Sequence, residues 1–163
     1  MMCILDFQGF KDGNNVFIVK ELAILHEDET LETFHFKPPR DVYMTWHYER
    51  SNRYCTRELH GLEWEDGNLD YKTLGSILEE RTSPVIFVKG KEKMNFLSNI
   101  LPGKEIKNFG DILPAKLSSL GKVNYHCFHK GPSCAVQNVL RLFNWMKDVD
   151  EFFFSKINKE CLI

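Results

Sequence analysis

The chain has 163 residues, a formal net charge of −2 and a hydrophobic fraction of 43%. These values are those of a single globular domain long enough to bury a substantial core. The longest apolar stretches fall far short of the ~20 residues a membrane span needs, and the net charge excludes a global basic field that would hold a polyanion, so any nucleic-acid contact must come from a local patch.

Cys3 to Phe7 reads as a short apolar strand, ended by Gly9 and the turn Asp12-Gly13-Asn14-Asn15. Val16 to Leu25 is rich in β-branched residues and predicts a second strand. The acidic turn Glu27-Asp28-Glu29 leads to a third, Leu31 to Phe36, stopped by Pro38-Pro39. Three strands joined by short turns predict an antiparallel meander. Asp70 is placed to cap a helix through Glu80, with Leu74, Ile77 and Leu78 on one face. Pro84 to Val88 is short and apolar, as in the buried middle of a sheet. Lys91 to Leu101 is amphipathic, Ile106 to Phe109 predicts a strand, and Asp111 to Leu120 a short helix interrupted by Pro114. Ser133 is placed to cap a last helix running to about Val149, with Val136, Val139, Leu140, Phe143 and Met146 at helical spacing. The fold class is therefore α/β, with a mixed sheet flanked by helices. One domain is expected over 1–150. A tail over 151–163, carrying Phe152-Phe153-Phe154, is expected to dock on it.

The five cysteines are Cys3, Cys55, Cys127, Cys134 and Cys161. An odd number without disulfide rhythm predicts reduced thiols, and so a cytoplasmic or nuclear protein. The amino-terminal residues lack the basic region and long apolar run of a secretory leader.

Three features carry candidate chemistry. The first is His126-Cys127-Phe128-His129 followed by Cys134, just before the last helix. A His-x2-His pair reaches one metal from a tight turn, and a cysteine at a helix start has its thiolate favoured by the helix dipole. The competing reading is of ordinary core and surface residues without a metal. The second is the segment from Lys37 to Arg57. Lys37, Arg40, Arg50, Arg53 and Arg57 meet only Asp41 and Glu49, with Tyr43, Trp46, Tyr48 and Tyr54 interleaved. That mixture suits single-stranded nucleic acid, a protein interface, or a plain loop whose rings pack on the sheet. The third, a zone of Lys89, Lys91, Lys93, Lys104 and Lys107, reads mainly as a solvated helix face. His60 reads as a loop histidine beside the turn residue Gly61.

The order of elements resembles the DEDDh 3′–5′ exonucleases of the RNase H-like superfamily across most of residues 3–147. Ile4-Leu5-Asp6-Phe7-Gln8-Gly9-Phe10 sits where that family carries an Asp-x-Glu metal site. His60-Gly61-Leu62 is similar to its His-Gly-Ile, and His129-x4-Cys134 to its His-x4-Asp. Yet Gln8 replaces the glutamate, Lys93 stands where an aspartate is expected, and Cys134 replaces the last aspartate. Two-metal hydrolysis needs carboxylates holding cations ~4 Å apart, so this set predicts loss of that mechanism. A narrower resemblance is to the Maelstrom domain of the piRNA pathway, an RNase H-like fold with a Glu-Cys-His-Cys zinc set in place of the exonuclease residues. The resemblance implies a structural zinc on Glu21, His126, His129 and Cys134, with His126 where the family has cysteine and Cys127 as an alternative. It also implies single-stranded RNA binding in small-RNA or transposon-related biology, with weak ribonuclease activity within its range. A protein-interaction adaptor with a structural zinc is the competing class. An active Mg²⁺-dependent exonuclease is the third.

Overall fold

The computed structural model describes residues 1–111, 117–121, 123, 125 and 133–148. His126, Cys127, His129, Pro114 and the expected docked tail lie outside the described residues. The strands are β1 (Met2–Lys11), β2 (Phe17–His26), β3 (Leu31–His35), β4 (Val85–Val88) and β5 (Glu105–Asn108). The helices are α1 (Trp46–Tyr54), α2 (Leu74–Arg81), α3 (Lys91–Ile100) and α4 (Ala135–Asp148). The sheet order is β3-β2-β1-β4-β5. β1, β2 and β3 pair antiparallel, and β4 and β5 continue the sheet parallel to β1. This is the α/β arrangement that the sequence predicts, a mixed sheet with an antiparallel meander and parallel strands, flanked by helices. No helix among the described residues is long and apolar enough to cross a membrane.

Strand alternation divides the core in two. Ile4, Ala23, Leu25 and Phe87 face α4 and meet its Val136, Val139, Leu142 and Met146. Leu5, Phe7, Leu22, Ile24 and Ile86 face the other way, against Leu74 and Leu78 of α2 and Leu97 of α3. The middle strand β1 is thus buried on both sides, as its near-continuous apolar run requires. Asp6 and Gln8 fall on the α4 side by the same alternation, and that brings polar side chains into the core.

β1 does not end at Gly9. It runs on to Lys11, with a register shift between Gln8 and Gly9: Gln8 pairs with Glu21 and Gly9 with Val19. Lys20 is the extra residue of this β-bulge, and a bulge re-aims its side chain. A Cβ on Gly9 would sit 1.9 Å from the Ile18 carbonyl oxygen, so the approach of the two strands needs glycine. Lys20 is only 2% exposed. Its Nζ donates to the Trp64 carbonyl at 2.7 Å and also to the Asp66 carbonyl, which ties the 64–66 turn to the sheet.

Burial lowers the Lys20 pKa from 10.5 to about 8, against the opposing pull of Asp66 and Glu65. The native lysine therefore sheds its proton before the unfolded one does. Between about pH 8 and 10.5 the unfolded state binds more protons, so this residue's contribution to stability rises with pH. We predict that the stability difference between wild type and Lys20→Met, from denaturant melts, grows in favour of wild type across that window. A flat difference would contradict the assignment.

The largest departure from expectation is α1. The segment from Lys37 to Arg57, for which the sequence predicts no regular element, is helical from Trp46 and continues through a π-helical turn at Cys55–His60, closed by Gly61 at φ 71°. Asn52 is the buried residue of α1. Its side-chain amide donates to the Lys11 carbonyl at 2.8 Å and accepts from the Lys11 N–H at 3.0 Å, so it pairs with the end of β1 as a strand would. Of the predicted helix over Asp111 to Leu120, the described parts are the end of a 3-10 turn at Phe109–Asp111 and a 3-10 turn at Leu117–Ser119, and residues 112–116 lie outside the described residues.

Candidate functional site

The first polar cluster surrounds Asp6, which is 1% exposed. Lys93, from the first turn of α3, places its ammonium against Asp6 Oδ1. The Gln8 amide donates to Oδ2 at 3.1 Å and the Asn138 amide, from α4, donates to it at 2.9 Å. Lys93 Nζ also lies 5.3 Å from the centre of the Phe7 ring. The carboxylate is thus neutralised and hydrogen-bonded by the protein's own side chains, the condition under which a buried charge is tolerated. An ammonium occupies the ground that a divalent cation would need beside Asp6.

The α4 residue that reaches Asp6 is Asn138, one turn past Cys134. The sequence resemblance places Cys134, not Asn138, in the position of the last acidic residue. The available signal was a buried polar residue within the apolar stripe of α4.

The second cluster lies at the start of α4. Glu21 is 1% exposed, and its Oε1 accepts the Ala135 N–H at 2.8 Å. Its Oε2 lies 3.1 Å from His35 Nε2, across the β2–β3 pair where Glu21 and His35 are register partners. Glu21 therefore supplies an acceptor at the start of α4, and the Ser133 backbone N–H donates to the Leu59 carbonyl at 2.8 Å. A carboxylate at this end is favoured by the helix dipole as well as by the hydrogen bond.

Of the four predicted zinc ligands, Glu21 and Cys134 come together here, with Cys134 buried next to the Ala135 amide that Glu21 binds. His126 and His129 lie outside the described residues, as does the alternative ligand Cys127. Among the described residues, no three His, Cys, Asp or Glu side chains are grouped to hold a metal. His35 beside Glu21 was not foreseen, because cross-strand register is not written in the local pattern.

The third feature is the aromatic-basic segment. Trp46 is 67% exposed, Tyr43 60% and Tyr54 50%. The Arg50 guanidinium lies 5.5 Å from the centre of the Trp46 ring. Arg50, Arg53 and Arg57 follow one another along α1 and its continuation, with Arg57 ion-paired to Glu58 at 2.8 Å. Lys37 and Arg40 precede the helix and are exposed. The rings therefore do not all pack on the sheet as a plain loop would have them. A cleft of about 530 Å³ opens beside α1, lined in part by Phe10, Trp64, Glu49, Arg53 and Glu63.

The lysine zone breaks up. Lys93 serves Asp6, and Lys104 closes the end of α2 through the carbonyls of Glu79 and Thr82, each at 2.8 Å. His60 is buried, with Nε2 2.9 Å from the Gly9 carbonyl and Nδ1 accepting the Leu62 N–H at 3.0 Å, so it braces the strand bulge as a structural residue. The chain matches no family model, no curated protein and no solved structure.

Proposed function

We propose that this chain is a Maelstrom-like domain on an RNase H-like fold that binds single-stranded RNA and has lost metal-dependent exonuclease chemistry. The observation that carries the reading is the Asp6–Lys93 pair. The first carboxylate of the exonuclease pattern is held by a lysine ammonium where the pattern has an aspartate. Gln8 and Asn138 complete its shell as neutral amides. Such a set has one carboxylate, too few to hold two cations in line with a scissile phosphate.

Binding falls to the α1 surface. Exposed Trp46, Tyr43 and Tyr54 offer ring faces to bases, and Arg50 and Arg53 offer charge to phosphates. Zinc in this reading is structural. Glu21, His126, His129 and Cys134 would hold it and would clamp the 126–134 segment to β2 and the start of α4. The buried Glu21 carboxylate beside Cys134 supports the fit of that donor set.

Fluorescence anisotropy with a short labelled single-stranded RNA tests the reading. Affinity should fall with added salt, and Trp46→Ala should weaken it by about 1–3 kcal/mol, the stacking contribution of one base. The RNA should stay intact with Mg²⁺ or Mn²⁺. Undetectable binding at low salt would reject the RNA function and favour a protein partner on the same surface.

A further inference from the structure

We propose that the cleft beside α1 is a base pocket selective for guanine in single-stranded RNA, an inference that rests on the RNA-binding reading above. Its volume of about 530 Å³ lies within the ~300–1,000 Å³ of small-molecule sites. The half-buried Trp64 forms an aromatic wall, backed by the buried Phe10 with ring centroids 5.6 Å apart. The wall is fixed in place: Trp64 sits on the turn that Lys20 ties to the sheet, and Phe10 packs edge-on against His60 at 5.0 Å.

The polar lining selects among ligands. The Asn52 amide is engaged by Lys11, and the Thr56 hydroxyl donates to the Leu62 carbonyl at 2.7 Å. Recognition is left to the exposed side chains of Glu49, Glu63 and Arg53. Two carboxylates against one guanidinium repel a phosphate from the cleft itself and call for hydrogen-bond donors. Guanine presents N1–H and the N2 amino group side by side, a pair that one carboxylate accepts together. Adenine and cytosine offer an amino donor next to an acceptor nitrogen, and uracil places its N3–H between two carbonyls, so each sets an acceptor against the carboxylate. Arg50 and Arg53, on the helix that borders the cleft, attract the phosphodiester chain to its mouth. The same charges disfavour a basic peptide, which would otherwise suit an aromatic wall with acidic neighbours.

The test is calorimetric titration of the full chain with GMP, AMP, CMP and UMP, alongside an all-uridine oligonucleotide and a trimethyl-lysine peptide. GMP should bind at least about tenfold more tightly than the other three, the discrimination expected of one good bidentate contact. Glu49→Gln and Glu63→Gln are exposed changes that should leave the thermal melt in place, and at least one should bring GMP down to the level of the others. Equal binding of the four nucleotides overturns the pocket. So does absence of nucleotide binding while the oligonucleotide still binds, and that result leaves the RNA reading standing. Loss of oligonucleotide binding as well overturns both. Preference for the peptide overturns the pocket in favour of a protein ligand.

Discussion

Lys93→Met should destabilise the protein by about 3–5 kcal/mol, the range for removing one partner of a buried ion pair. Asp6 is 1% exposed and the Lys93 side chain 19%, so the carboxylate left behind has no ready access to water. The amides of Gln8 and Asn138 would still donate to it, but neither carries charge. Methionine replaces the lysine stem with an unbranched apolar chain of similar length, which separates loss of charge from loss of bulk. The decisive control is the double variant Asp6→Asn/Lys93→Met. With both charges gone, most of the lost stability should return, since the penalty lies in the stranded carboxylate rather than in a lost attraction. Urea denaturation at neutral pH reads both. A single variant within about 1 kcal/mol of wild type would show that the pair is effectively solvated, as surface pairs are.

The same pair explains what could be read from the sequence and what could not. Lys93 was seen to fall where an acidic residue belongs, which argued against metal chemistry. That its ammonium takes hold of Asp6 depends on α3 starting at the end of β4, beside β1, and only the assembled sheet supplies that. Strands and the last helix were legible because burial on a sheet or under a helix imposes an apolar period: Phe17–His26 and Ala135–Asp148 lie close to their expected bounds. α1 was illegible because it buries Asn52, with no apolar stripe, and is anchored by that amide on the Lys11 backbone. Lys20 was illegible for a related reason. A lysine in a strand reads as a solvent-facing residue, and the bulge that turns it inward depends on the close approach at Gly9. Polar residues recruited to backbone groups far away in sequence leave no periodic trace.

Glu21 offers the sharpest separation of a structural role from a metal role. It receives the Ala135 N–H and pairs with His35 from a buried position. Glu21→Ala removes the cap and leaves that N–H without its acceptor, and should cost about 2–4 kcal/mol, the sum expected for a lost helix cap and a charged hydrogen bond. Glu21→Gln is the informative variant. Its amide oxygen can still accept the Ala135 N–H, so the helix keeps its cap, but the charge that would bind a cation is gone. Metal content and thermal stability should be measured for wild type, Glu21→Gln and Cys134→Ser, each with and without chelator. If Glu21 is a zinc ligand, wild type carries about one zinc, chelator lowers its melting temperature, and Glu21→Gln loses both the metal and the chelator response. If Glu21 only caps α4, Glu21→Gln keeps the metal content, chelator response and melting temperature of wild type, while Glu21→Ala melts lower. The carboxylate would then have kept its place on β2 because the start of α4 needs an acceptor there, and the metal reading of His126, His129 and Cys134 would lose its anchor on the sheet.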